Sequence, residues 1–153
     1  TYPMYKGISK LVGMTPLEVK ESTLQSQIKT LKKEFNNYDF FYFHIKKTDS
    51  FGEDGNYKEK IKVIERFDNE LEKVLKLKFD VVCITGDHST PSKMKGHSWH
   101  PVPVIINSKN SFHGTSKRFT EKECMKGMLG LFEGKNLMNF ILAHAEMLSK
   151  FGA

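Results

Sequence analysis

Three runs of this chain are apolar on both of the faces that a strand would show. They are YDFFYFHI at 38–45, FDVVCIT at 79–85, and a third at 102–107, over VPVIIN. Strands with no polar side must be covered on both faces, which favours a parallel sheet over an antiparallel one. The clearest helical pattern in the chain, at about 57–77, lies between the first two runs. There Ile61, Ile64, Phe67, Leu71, Val74 and Leu75 trace one apolar stripe, with charge on the opposite face. MYKGISKLVGM (4–14) reads as a short helical piece closed by glycine. Thr15-Pro16 reads as the start of a helix to about Phe35, with Leu17, Leu24, Ile28, Leu31 and Phe35 at three-to-four spacing. TEKECMKGMLG opens with Thr120 and Glu123 in capping-box register, and a last helix is expected at about 135–149. The order helix, strand, helix, strand, strand, helices predicts an α/β protein with a mostly parallel sheet covered on both sides.

At 153 residues the chain is long enough for one domain with its own core. Its 39% hydrophobic and 27% charged content is that of a soluble globular protein. No apolar run is long enough to cross a bilayer, so no membrane partner is expected. With no cationic-then-apolar leader in the sequence, the expected location is cytoplasmic. The net charge is +6, but only Arg66 and Arg118 are arginines, and the lysines are spread along helical segments such as KTLKKE and KEKIKVIE. Nucleic-acid readers favour the arginine fork and interleaved aromatics. Solvated helix faces are the expected reading here, with no nucleic-acid partner. Cys83 lies in an apolar run and Cys124 in a helical pattern far from it, so both are expected to be buried free thiols.

The chemistry concentrates between the second and third apolar runs, in TGDHSTPSKMKGHSWHPVPV (85–104). Ligands of doubly covered sheets bind beyond the carboxyl ends of the strands. Two segments meet that description. KKTDSFGEDGN (46–56), read as a polar loop, contains Asp49, Glu53 and Asp54; the histidine-rich loop contains Asp87, His88 and His97. Carboxylate with imidazole is a ligand set for Mn²⁺ or Zn²⁺, and an adjacent Asp-His pair can serve one metal or two neighbouring ones. Asp49 alone could equally be a turn cap. His44 and His144 read as structural residues and His113 as an exposed one. The glycines of SFGEDGN fit no standard phosphate loop, and Lys46 and Lys47 beside them are either solvated or placed to neutralise a phosphoryl group.

TGDHSTPSKMKGHSWHPVPV, HIKKTDSFGEDGN, YPMYKGISKLVGM and the terminal KFGA together resemble the archaeal-type 2,3-bisphosphoglycerate-independent phosphoglycerate mutases, of the alkaline phosphatase superfamily. The resemblance implies a three-layer α/β/α sandwich, a bimetal centre, and phosphate transfer between the hydroxyls of glycerate through a phosphoserine. It implies two divalent ions, Mn²⁺ first and Mg²⁺ or Zn²⁺ after it, and no 2,3-bisphosphoglycerate. Asp87 and His88 match the pair that helps hold one metal, and Asp49 and His97 match ligands of the other. Lys6, in a YKG motif, matches a lysine near substrate or metal. The chain departs from the pattern at Glu53, which takes the slot of a histidine ligand. Glu53 is either an oxygen ligand suited to Mg²⁺ or Mn²⁺ or no ligand at all. His100 stands where relatives often carry Asp and is an extra ligand or proton carrier in one reading. The serine nucleophile and first metal-binding aspartate match nothing here; Ser89 is not at that position. Residues 1–153 are therefore expected to be the C-terminal part of the phosphatase-like domain, without its N-terminal part and inserted phosphotransferase domain. Such a piece alone is expected to be inactive on phosphoglycerate and to self-associate through exposed edges. A phosphatase of altered substrate range and a non-catalytic metal-binding module are the other readings.

Overall fold

The computed structural model describes residues 3–112 and 114–148. The chain divides into two units, one of residues 1–45 and 64–77 and the other of 46–63 and 78–153.

The first unit contains α1 (Pro3–Leu11) and α2 (Leu24–Glu34), a short 3-10 turn at Phe35–Asn37, and the part of α4 (Tyr57–Leu75) from residue 64 onward. Gly13, at φ 81°, ends α1: its own N–H bonds the Lys10 carbonyl, and that of Met14 bonds the Ser9 carbonyl. The expected helix start at Thr15-Pro16 does not form. Residues 14–19 are without regular structure, and α2 begins only at Leu24. There Thr23 caps it, its hydroxyl accepting from the Ser26 N–H at 3.2 Å. Ile28 and Leu31 sit one helical turn apart and are 3% and 5% exposed. They are the buried apolar side chains of this structure among the described residues.

YDFFYFHI is not a strand. Residues 38–45 are extended or bent, and no strand is assigned to them. Its aromatics instead pack on rings: Phe41 stacks on Phe35 at 6.5 Å and meets Tyr38 edge-on at 6.1 Å, and His44 lies 4.2 Å from Tyr5. His44 also stacks on Tyr42 at 6.1 Å.

The second unit carries α3 (Lys47–Glu53), the start of α4, β1 (Val81–Thr85), β2 (Val104–Ser108), α5 (Glu121–Cys124) and α6 (Leu137–His144). The segment read as a polar loop at 46–56 is therefore mostly helical. Gly55, at φ 70°, closes α3 by the same glycine device as in α1, and Asn56 then caps α4 by accepting from the Glu59 N–H. The sheet also differs from expectation. β1 and β2 pair antiparallel, with Cys83 opposite Ile106, and no parallel pair occurs among the described residues. Apolar residues on both faces do not require parallel pairing: a covering element such as α6, which packs on β1, serves an antiparallel pair as well. The long connection is itself drawn back by a bridge between Ser89 and Ser98. Thr120 caps α5 at 3.2 Å from the Glu123 N–H, as the capping box implied, but the helix lasts one turn. The last helix is shorter than the expected 135–149: Glu146 adopts φ 59° and the chain turns. Cys83 and Cys124 are half-buried free thiols, and burial pushes the Cys83 thiol up. The KFGA motif and His113 lie outside the described residues.

One close approach fixes the second unit. A Cβ on Gly52 would come within 2.4 Å of the Thr90 carbonyl oxygen and 2.9 Å of its methyl group. Glycine at 52 thus lets α3 lie against the loop after β1. Gly52→Ala is expected to lower stability by at least about 2 kcal/mol in denaturant unfolding, since backbone oxygen has no rotamer with which to give way. Leu31→Ala is expected to cost about 2–4 kcal/mol in the same assay, by leaving a cavity in the first unit. A change under about 0.5 kcal/mol at either position would contradict the packing described.

Candidate metal centre

α3 presents Asp49 and Glu53 one turn apart. The loop after β1 presents Asp87 and His88, and the Ser89–Ser98 bridge brings His97 back beside them. The imidazole rings of His88 and His97 lie 3.9 Å apart between centroids. Asp49, His88 and His97 each offer one ligand atom within 4.8 Å of the other two. The structure therefore unites residues 39 and 48 positions apart in the sequence, Asp49 with His88 and Asp49 with His97.

Three spacings in the cluster agree. His97 Nε2 is 3.6 Å from Asp49 Oδ1 and 3.6 Å from Glu53 Oε1, and His88 Nε2 is 3.6 Å from Asp87 Oδ2. This is too long for a good hydrogen bond. Two ligands about 2.0–2.2 Å from one tetrahedral ion stand roughly 3.5 Å apart, so the donor set fits a divalent cation by spacing as well as by chemistry. Glu53 points its oxygen at the same imidazole nitrogen as Asp49.

Asp49 is the best-held member, with its side chain 11% exposed. Lys46 Nζ donates to Oδ2, and the Thr90 hydroxyl donates to Oδ1 at 2.6 Å. Burial pushes the Asp49 carboxyl up, but the Lys46 and Thr90 hydrogen bonds and the Lys46 charge outweigh it and hold the group below its ordinary value. Lys46, which the sequence left between a solvated and a phosphoryl-facing reading, is thus an ion-pair partner of Asp49.

Thr90 is 5% exposed and is the buried polar residue at the centre of this arrangement. Residue chemistry alone does not single it out, since Ser-Thr-Pro reads as an ordinary turn. Lys60, on α4, donates to the Thr90 carbonyl at 2.6 Å. Burial pushes the Lys60 ammonium down, against the attraction of Asp49 and Glu121. The remaining candidates fall outside the cluster. His100 is exposed, bonds Ser98 Oγ at 2.8 Å and stacks on Trp99. His144 bonds Ser108 Oγ at 2.9 Å and reads as structural. Lys6 is half-buried on α1, in the first unit.

Comparison with known proteins agrees with this geometry. The family model of the metalloenzyme superfamily matches residues 4–144. The chain is 58% identical to a probable 2,3-bisphosphoglycerate-independent phosphoglycerate mutase of Aquifex aeolicus, over 99% of this chain and 37% of that protein. It is 53% identical to a protein of the same description from Thermotoga maritima, over 100% of this chain and 38% of that one. The solved structure of the PH0037 protein from Pyrococcus horikoshii superposes with a TM-score of 0.91 at 32% identity, covering 97% of this chain and 48% of that one. The chain thus spans under two-fifths of the length of these two mutase relatives. With a family model that runs almost end to end and a carboxylate–imidazole cluster of metal-binding spacing, the chain belongs to the metalloenzyme superfamily.

Proposed function

We propose that this chain carries part of the two-metal centre of a cofactor-independent phosphoglycerate mutase, which interconverts 3- and 2-phosphoglycerate through a phosphoserine in glycolysis. The observation that supports this most directly is the convergence of Asp49, His88 and His97 within 4.8 Å, in a chain more than half identical to proteins of that description. Asp49 and His97, with Glu53, hold one ion in this reading; Asp87 and His88 hold the other. Three carboxylates among five donors favour Mn²⁺, with Mg²⁺ next, over zinc. Bound divalent ions would polarise a phosphoryl oxygen and stabilise the charge that develops in transfer.

The chain's own residues orient and exclude. Lys46 and Thr90 hold the two oxygens of Asp49, while α3 and the hairpin loop wall one side of the site. Lys6 is the residue that the family resemblance assigns near substrate or metal. The serine nucleophile comes from outside these residues, and the pair β1–β2 belongs to a larger three-layer α/β/α sandwich. The enzyme is cytoplasmic, and this piece alone associates with a second copy or with the rest of the enzyme rather than turning over substrate.

The test is the longer polypeptide, supplied with 3-phosphoglycerate and Mn²⁺. Formation of 2-phosphoglycerate is expected; release of inorganic phosphate without it would instead establish the phosphatase reading that Glu53 keeps open. For the chain itself, calorimetry with MnCl₂ is expected to show saturable binding, weakened about 10-fold or more by Asp49→Asn or His97→Gln. No heat at millimolar Mn²⁺ would overturn the metal reading. In the metal-free chain, the Asp49 carboxyl is expected to titrate below the unfolded value of about 3.9, and Lys46→Met is expected to move it up. Because the folded value is the lower one, the stabilisation from Asp49 is present above the unfolded value. It is lost as pH falls through the folded one. Carbon-13 NMR of the side chain reads both.

A further inference from the structure

The buried hydroxyl of Thr90 touches two members of the metal cluster at once. It lies 2.6 Å from Asp49 Oδ1 and 3.0 Å from His88 Nδ1. A threonine hydroxyl has one proton to donate and lone pairs to accept with. An ionised carboxylate can only accept, and a hydrogen bond to a charged acceptor is about twice as strong as a neutral one. The proton of Thr90 therefore goes to Asp49. Its oxygen then faces His88 Nδ1 as an acceptor, and that contact is favourable only if Nδ1 carries the imidazole proton.

From this geometry we infer that Thr90 is a positioning residue that fixes His88 in its Nδ1–H form and so leaves Nε2 as the metal-binding atom. Nε2 points at Asp87 Oδ2, 3.6 Å away. Two lone-pair atoms facing each other at that distance repel until a cation stands between them. The hydroxyl thereby sorts the cluster: His88 goes with Asp87, although its Nδ1 is only 3.9 Å from Asp49 Oδ1. The same proton chain leaves Asp49 Oδ1 charged and oriented toward His97.

Thr90 can do this because it cannot move. Its carbonyl accepts from Lys60 at 2.6 Å, and its carbonyl and methyl lie where a side chain on residue 52 would be. Outer partners that fix the tautomer of a ligating histidine are worth about 10- to 100-fold in metal affinity. Thr90 supplies that service to His88 and an oxygen anchor to Asp49 from one atom.

The inference rests on the proposed metal reading for its purpose but not for its measurement. In the metal-free chain at about pH 8.5, where an ordinary imidazole is neutral, nitrogen-15 NMR distinguishes protonated from bare ring nitrogens. His88 is expected as the Nδ1–H form in the wild type and in Thr90→Ser, which keeps the hydroxyl. In Thr90→Val, which keeps the shape and loses the hydroxyl, that preference is expected to disappear. Mn²⁺ affinity by calorimetry is expected to fall about 10- to 100-fold in Thr90→Val and to stay within about threefold of wild type in Thr90→Ser. A wild-type His88 protonated on Nε2 overturns the inference without any variant, so a Thr90→Val chain that fails to fold does not shelter it. So does a folded Thr90→Val chain with wild-type affinity. An Nδ1–H His88 in a chain that binds no Mn²⁺ would sustain the role of Thr90 and sink the metal reading instead.

Discussion

The contact of α3 with the loop after β1, at Gly52 and Thr90, is the constraint on which the site depends. Asp49 and Glu53 are on one side of that contact, and Asp87, His88 and His97 on the other. A helix with any side chain at position 52 would stand off from the loop, and the carboxylates would leave the reach of the imidazoles. The hydrogen bonds across the gap then set the orientation. Lys60 holds the Thr90 carbonyl, and the Thr90 hydroxyl holds Asp49. Each would be weak in water, but a buried hydroxyl and a nearly buried carboxylate make the alternative, an unmet polar group, costly.

The site draws on the two segments the sequence singled out, but they reach it by different routes. The expected rule placed ligands beyond the carboxyl ends of parallel strands. β1 does deliver Asp87 and His88 just past its carboxyl end. His97, however, arrives on the return path toward β2, held by the bridge between Ser89 and Ser98, and Asp49 arrives on a helix.

What was legible follows from where the information is local. The apolar stripe of α4 repeats over five turns and leaves little choice of structure. β1 and β2 were visible as apolar runs, but their mutual direction was not, because direction depends on the partner and residue type does not encode it. The aromatic segment 38–45 shows the converse: strong strand composition with no strand, its rings packed on one another and on α1 and the 3-10 turn. α3 was hidden because Gly52 and Gly55 suggest a loop. One of these glycines ends the helix, and the other is required by the neighbour of the helix. The metal candidates Asp49, Asp87, His88 and His97 were legible from residue chemistry and motif. Thr90 was not, since nothing about a Ser-Thr-Pro turn foretells a hydroxyl buried between Asp49 and His88.

Lys46 completes the electrostatic picture and limits it. Its ammonium binds Asp49 Oδ2, leaving Oδ1 for Thr90 and the side facing His97. With both oxygens engaged, the carboxylate cannot swing about its last torsion, so a cation meets a fixed ligand and not one that must be ordered on binding. The same ammonium keeps Asp49 ionised in acid and repels whatever cation Asp49 attracts. A centre built this way trades tight metal capture for a carboxylate that is charged, aimed and still.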